Sequence, residues 1–460
     1  MHLAKLPALS SKKVEAGDIF QMGKIGLHWM RHDLRINDNW ALSQLIQKVD
    51  KTVVVYVFNS TQEIENNYGF SSLGNHRKVF LQECLLEVAN RLKQMNISFY
   101  CVRSDDPPDT ISTLIEHWSC SVMSYEFHAG FHENQEVLKV KESHPSLQFI
   151  EQYSNYLFSP HELPFALDDM PNVFSPFRRK VEKNLKLQLT IPELMSEKKA
   201  NNQPNTMLRL PDEITELFNG VLTSHSTDLN DINKSRYAAG ESGAHARIEE
   251  YFFKSHGIAK YKETRNGLDG WGFSSRLSAY LAIGAISPRT VVEKLKEYES
   301  MHTANESTYW LFFELLWREF FHWQALKHGK HLFNFAGIQK KKPETNIDPV
   351  RFKHWIAGTT AYPIVNACMK QLAHTGFMSN RGRQLVASCF VHELGLDWRY
   401  GAAYFEHMLI DYDVASNYGN WQYLAGVGSD PRGHRQFNLQ KQTEIYDPTH
   451  QFIESWLSHD

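Results

Sequence analysis

Five short apolar runs, KIGLHWM from residue 24, TVVVYVF at 52–58, ISFYCV, CSVMSYEF and LQFIEQY, are separated by segments such as NHRKVFLQECLLEVANRLKQMN, whose apolar residues recur at helical spacing. Buried strands kept this far apart cannot be joined as hairpins. They need crossover connections, which are right-handed and lay helices on both faces of a parallel sheet. Residues 24–155 are therefore expected to form an α/β domain with a Rossmann-like parallel sheet. The first run leads into RHDLRINDNWAL and not into G-x-G-x-x-G, so the usual fingerprint for a dinucleotide at the first strand is missing. Any dinucleotide has to bind elsewhere.

At 460 residues the chain exceeds one ordinary core, and a second domain is expected. Residues 156–235 are rich in Pro, Asn and Ser with little periodicity, as in SPHELPF and EKKANNQPNTMLRLP, and read as a long interdomain connection. Residues 236–460 run helix after helix and read as an all-α domain, while residues 1–23 read as an N-terminal extension. Five scattered cysteines without a C-x-x-C pair argue against a disulfide framework or a zinc site and for a reducing, cytoplasmic setting. A net charge of -3 argues against a wholesale polyanion binder and leaves local basic surfaces. The 13% aromatic content can house a flat ligand, and no apolar run reaches the roughly 18 residues of a membrane span.

Four segments could carry chemistry. In DYDVASNYGNWQY (411–423), Asp413, Asn417 and Trp421 are each four apart and share one helical face. That face suits a flat heterocycle, with a packed helix end as the alternative. In YKETRNGLDGWGFSSRLSAYLAIGAISPR, Ser274, Ser275 and Ser278 lie where a Gly-rich loop turns into a helix, an anion cradle for a diphosphate or a plain N-cap. WLFFELLWREFFHW aligns Trp310, Phe313, Glu314, Trp317 and Phe321 on one stripe. A carboxylate there is costly unless it meets a donor, either a base edge or, as an internal ion pair, the adjacent Arg318. TGFMSNRGRQ supplies Asn380, Arg381 and Arg383, one arginine able to pair with Asp411 or Asp413 and another to face a phosphate. Lysines 340–342 with Arg432, His434 and Arg435 could form a basic surface track or a solvated face. No H-E-x-x-H, G-x-S-x-G or Walker sequence occurs.

Taken in order, YKETRNG, SSRLS, ELLWREFF, TGFMSNRGRQ, DWRYGA, DYDVASNYGNW and AGVGSDPR resemble the photolyase/cryptochrome family, and within it the DASH cryptochromes. The resemblance runs from KIGLHWMRHDLRINDNWAL to YDPTHQFIESWL. It implies a C-terminal all-helical FAD-binding domain, with Tyr261, Ser274, Ser275, Ser278, Arg318, Asn380, Arg383, Asp411, Asp413 and Asn417 as cofactor contacts. The serines would surround the phosphates, Arg383 and Asp411 would pair beside the isoalloxazine, Asp413 would meet the flavin edge and Asn417 would face N5. Gly419 would let the chain pass close, and Trp421 and Trp398 would relay electrons. The third relay position falls at Thr345 by ungapped spacing, which leaves the surface end without an aromatic.

The implied activity is blue-light-dependent repair of cyclobutane pyrimidine dimers by electron transfer from excited reduced FAD, chiefly in single-stranded DNA, with the dimer flipped into the helical domain. Glu314 would hydrogen-bond the dimer, Trp317 would stack on it, and Arg265, Asn380 and Arg381 would line the mouth or meet phosphate. Tyr423 stands where double-strand photolyases carry Trp, in keeping with the DASH branch. A folate antenna, 5,10-methenyltetrahydrofolate, is a further cofactor of such proteins; its carboxylate contact would fall near EFHAGFHE, where Ala129 or His128 stands instead. A monomer is expected, with RNA as an additional nucleic-acid partner to consider. The rival readings are a blue-light photoreceptor that regulates and does not repair, and a nucleic-acid-binding flavoprotein in which light is incidental.

Overall fold

The computed structural model describes residues 23–184, 208–214, 216–217, 237–429 and 435–458. The expected extension, save Gly23, and the expected track residues Arg432 and His434 lie outside the described residues. Five strands, β1 (Ile25–Met30), β2 (Lys51–Asn59), β3 (Ser98–Ser104), β4 (Val122–Glu126) and β5 (Gln148–Gln152), form one parallel sheet in the order β3-β2-β1-β4-β5. Every residue of β1 is buried, which explains why its sequence is continuously apolar and does not alternate. Four helices cover the sheet: α1 (Trp40–Lys48), α2 (Asn75–Gln94), α3 (Pro107–His117) and α4 (Phe131–Ser143). Leu27, Trp29, Val53 and Val55 pack towards α3 and α4, whereas Met30 and Val54 join the core that contains α2 and continues into the helical part.

The segment expected as an aperiodic connection carries a helix, α5 (Phe174–Lys183). Phe174, Phe177 and Val181 recur at helical spacing and are buried. The prolines and asparagines around them hid the signal. The helical part comprises α6 (Gly240–Ile248), α7 (Tyr261–Thr264), α8 (Ser278–Ile283), α9 (Pro288–Met301), α10 (Glu306–His328), α11 (Pro349–Ala357), α12 (Pro363–Thr375), α13 (Asn380–Ser388), α14 (Trp398–Met408), α15 (Val414–Leu424), α16 (Leu439–Tyr446) and α17 (Gln451–Leu457). The 23-residue α10 is the central member, capped by Asn305, whose side chain accepts from the N–H groups of Ser307 and Thr308.

The loop after β1, where a dinucleotide fold would place its glycines, is committed to the helical part. Arg35 donates to the Gly284 carbonyl at 2.9 Å, to Ser154 Oγ at 2.7 Å and to Asn155 Oδ1 at 2.5 Å, and Leu34 N–H donates to the Ile283 carbonyl at 3.1 Å. Ile36 N–H reaches the buried Glu241 carboxylate at 2.8 Å, and Asp38 accepts from Ser287 and Thr290. Among the described residues no helix is long and apolar enough to cross a membrane.

Candidate functional site

A cavity of about 490 Å³ opens in the helical part between α7, α8, α10, α13 and α15. It gathers Tyr261, Arg265, Ser274, Ser275, Ser278, Glu314, Trp317, Arg318, Asn380, Arg383, Asp411, Asp413, Asn417, Trp421 and Tyr423. Trp398 and Arg381 do not line it. Trp398 is fully buried behind the cavity, its indole N–H donating to the Phe335 carbonyl at 3.0 Å. Arg381 sits at α16, its guanidinium 4.6 Å over the Tyr446 ring and at hydrogen-bond limit from Gln442 and Asn266.

The serine cradle is built by a short turn at Trp271–Phe273, after which Ser274 is extended and Arg276 takes a left-handed conformation at φ 58° before α8 begins. Among the described residues no partner holds the hydroxyls of Ser274, Ser275 and Ser278, and the first N–H groups of α8 lack intrahelical acceptors. Arg247 fixes its floor by donating to the Ser274 and Ser275 carbonyls at 2.8 and 2.9 Å. The Arg276 guanidinium lies over Phe377, 3.8 Å from the ring centroid, with a buried Nε that has no partner among the described residues. Sequence reasoning treated SSRLS as a serine motif and missed its arginine.

The acidic residues have separate partners. Arg383 Nη2 donates to both oxygens of buried Asp411 at 2.9 and 2.8 Å, while its Nε donates to the Met378 carbonyl. Asp413 caps α15 by accepting from Ser416 N–H at 2.7 Å, and its other oxygen lies 2.9 Å from His322 Nε2. Burial lowers the His322 pKa, so the neutral ring donates from Nε2 and leaves its buried Nδ1 unpartnered. Asn417 donates from Nδ2 to the Ala402 carbonyl at 3.0 Å, which turns its carboxamide oxygen into the free end. Glu314 accepts from Arg265 at 2.8 Å and from the Trp310 indole at 3.2 Å. The sequence-adjacent Arg318 is not its partner: that guanidinium donates to the Asn155 carbonyl at 2.9 Å. Burial raises the Glu314 pKa in spite of Arg265.

The aromatic lining is equally ordered. Trp421 is 2% exposed and stands edge-to-face with Phe405 at 5.2 Å, Phe390 at 5.5 Å and Trp355 at 6.2 Å. No motif pointed to Trp355. Gly401 on α14 faces the Trp421 ring directly. Gly419 does not line the cavity, and the expectation that it lets the chain approach a ligand is corrected: its Cα faces Phe321, leaving no room for a side chain. Thr345, where the third relay position was expected to fall, has a buried hydroxyl without a partner among the described residues. Trp317 carries Phe174 stacked on one face at 3.7 Å and 11°, with Tyr423 edge-on at 6.0 Å. Arg435, the described member of the expected basic track that reaches the cavity, lies 4.4 Å over the Tyr423 ring.

In the α/β part His32, His128 and Glu133 bring ligand-type atoms within 4.8 Å of one another. The two imidazoles are stacked at 4.2 Å with planes only 22° apart. Lone pairs lying in two such planes cannot converge on one ion, so the trio is not a ready metal centre. Ala129 is buried and His128 is part of this stack, and neither supplies the carboxylate a folate antenna would require there.

Known proteins resemble this chain in sequence and fold. Residues 26–197 match the family described as DNA photolyase, and residues 310–459 match the FAD binding domain of DNA photolyase. A cryptochrome DASH of Idiomarina loihiensis is 45% identical over 94% of this chain and 92% of its own, and one of Vibrio parahaemolyticus is 44% identical over 95% and 94%. The crystal structure of the Synechocystis cryptochrome superposes with a TM-score of 0.84 at 34% identity, covering 95% of this chain and 89% of that one. A class III photolyase of Agrobacterium tumefaciens, at 24% identity and TM-score 0.81 over 96% and 88%, shares the fold. The chain belongs to the photolyase/cryptochrome family, as a member of its DASH cryptochrome branch, and carries that family's FAD-binding domain.

Proposed function

We propose that this protein is a light-driven deoxyribodipyrimidine lyase that splits cyclobutane pyrimidine dimers, preferentially in single-stranded DNA, with FAD held noncovalently in the helical cavity. The observation that carries this reading is one cavity with two sets of groups: unpartnered serine hydroxyls with the Arg383–Asp411 pair, and Glu314–Arg265 with Trp317 and Tyr423. When bound, reduced FAD would supply, on blue-light excitation, the single electron that opening the cyclobutane ring requires. Ser274, Ser275 and Ser278 offer hydroxyls to the diphosphate, and Arg383, neutralised by Asp411, presents its guanidinium to the ring system. Asn417 would offer the bound ring system an acceptor oxygen and no acidic proton. Glu314 accepts from a pyrimidine N–H while Arg265 limits the cost of burying its charge. Trp317 provides a stacking face, worth roughly 1–3 kcal/mol per base.

Single strands spare the few kcal/mol of unpairing that a duplex would charge for a flipped base. Tyr423 offers a smaller platform than an indole and fits that preference. Neither a folate antenna nor RNA binding is needed for this reading. The test is loss of dimers from single- and double-stranded oligonucleotides carrying one thymine dimer, in light and in darkness. Light-dependent loss, faster on single strands, is expected. FAD-loaded protein that leaves every dimer intact under illumination would refute repair and leave the photoreceptor reading.

A further inference from the structure

We infer that Phe174, at the start of α5 in the interdomain connection, is a positioning residue for base recognition: it fills the rear face of Trp317 and sets the plane on which a pyrimidine stacks. The inference rests on the reading of Trp317 as the base platform.

Trp317 lines the cavity, whereas Phe174 is 4% exposed and lies outside it. The two rings are 3.7 Å apart and 11° from parallel, the closest ring pair among the described residues. Phe320 stands edge-on to Trp317 at 5.8 Å, Tyr423 edge-on at 6.0 Å, and Phe321 lies tilted at 5.5 Å. Phe174 covers one face of the indole and Trp317 lines the cavity, so the opposite face is the one we assign to a base. A flat base entering there extends the stack, so the tilt of Phe174 is transmitted to the base through Trp317.

The helix that carries Phe174 is itself tied to α10. Phe177 packs on Phe320 at 5.4 Å, Arg178 donates to the Tyr309 hydroxyl at 3.0 Å, and that hydroxyl donates to Glu182 at 2.6 Å. Phe174 also meets Phe313 edge-on at 5.2 Å. The connection therefore does more than span two domains: it supplies the back wall of the base site.

The experiment measures binding in darkness, on FAD-loaded protein, of a single-stranded oligonucleotide with one thymine dimer and of its undamaged twin. The readout is the dissociation constant of the undamaged strand divided by that of the dimer-containing strand. Phe174→Leu keeps apolar bulk but removes the ring, and is expected to lower the ratio about fivefold, the scale of one lost aromatic stack. Phe174→Tyr is expected to restore it. Val181→Ala, a buried apolar loss two turns further along α5, is expected to leave it unchanged. In a Trp317→Ala background Phe174→Leu should have no further effect. If Trp317→Ala lowers the ratio and Phe174→Leu does not, or if Phe174→Leu acts equally in both backgrounds, the positioning role is overturned. If Trp317→Ala itself leaves the ratio unchanged, the base-platform reading falls first and this inference with it. Should Phe174→Leu not fold with FAD bound, Phe174→Met provides the same comparison.

Discussion

Replacing Gly401 by Ala places one methyl group against the indole that closes the cavity. Its Cβ would lie 2.6 and 2.8 Å from Cζ3 and Cζ2 of Trp421 and closer still to Cη2. Ordinary carbon contact is about 3.5 Å, so the ring must retreat by roughly 1 Å. Retreat is blocked on the far sides by Phe390, Phe405 and Trp355, which leaves the cavity as the direction of escape. Overpacking costs about 1–3 kcal/mol, while Gly to Ala inside α14 returns about 1 kcal/mol of helix propensity, so the FAD-free protein should lose no more than about 2 kcal/mol. The ligand, by contrast, meets a wall moved into its space, and FAD affinity should fall at least about tenfold, equivalent to ~1.4 kcal/mol. Equilibrium dialysis with FAD and urea unfolding of the FAD-free protein measure the two quantities separately. A Gly401→Ala, Trp421→Phe double variant, which removes the clashing benzo ring, should recover FAD binding. Parental FAD affinity in Gly401→Ala alone would refute the claim that Trp421 is pinned between α14 and the cofactor.

Arg383→Ala strands the buried Asp411 carboxylate without its cation and should destabilise the FAD-free protein by about 3 kcal/mol in urea unfolding, with loss of FAD retention; an unchanged midpoint would show the pair to be dispensable. Glu319 is fully buried, and burial raises its pKa to about 7 although Leu157 N–H, the Trp323 indole and Arg318 favour its anion. Its folded pKa exceeds the unfolded one, so its contribution to stability is present below about 4.5 and lost as pH rises to about 7; the stability of Glu319→Gln relative to the parent should therefore improve across that window by up to roughly 3 kcal/mol, and a flat difference between pH 4.5 and 7 would contradict the shift. Glu314→Ala should retain FAD, measured by absorbance, and lower the number of dimers repaired per absorbed photon; full repair would remove Glu314 from the substrate site.

The parallel sheet was legible because strands buried on both faces are written as continuous apolar runs, and β1, wholly buried, is the plainest of them. The face formed by Asp413, Asn417 and Trp421 was legible for a similar reason: four-residue spacing is a property of the helix alone, and all three line the cavity. Tertiary partners were not. Sequence proximity nominated Arg318 for Glu314, but the chain fold delivers Arg265 from α7 and turns Arg318 towards the Asn155 carbonyl. Gly419 was expected at the ligand and meets Phe321, because a glycine marks a close approach without saying to what. Trp355 and Arg276 belong to no pattern of spacing; their roles appear only when α11 packs on α15 and when a left-handed residue bends the serine loop.

The α/β part has no dinucleotide glycines, yet it bears directly on the cofactor cavity through α8. That helix has six residues, too few to be stable alone, and its first residue is Ser278 of the cradle. What holds it is its far end. The Ile283 and Gly284 carbonyls accept from Leu34 N–H and Arg35, and Gly284 turns at φ 71° so close to the His32 carbonyl that any side chain there would collide. Arg35 is itself fixed by Ser154, Asn155 and the Asp38 carbonyl, all fully or largely buried. The loop after β1 thus contributes, by hydrogen bonds between domains, to fixing the helix whose start we propose faces the FAD phosphates, whereas in dinucleotide-binding folds the corresponding loop contacts the phosphates itself.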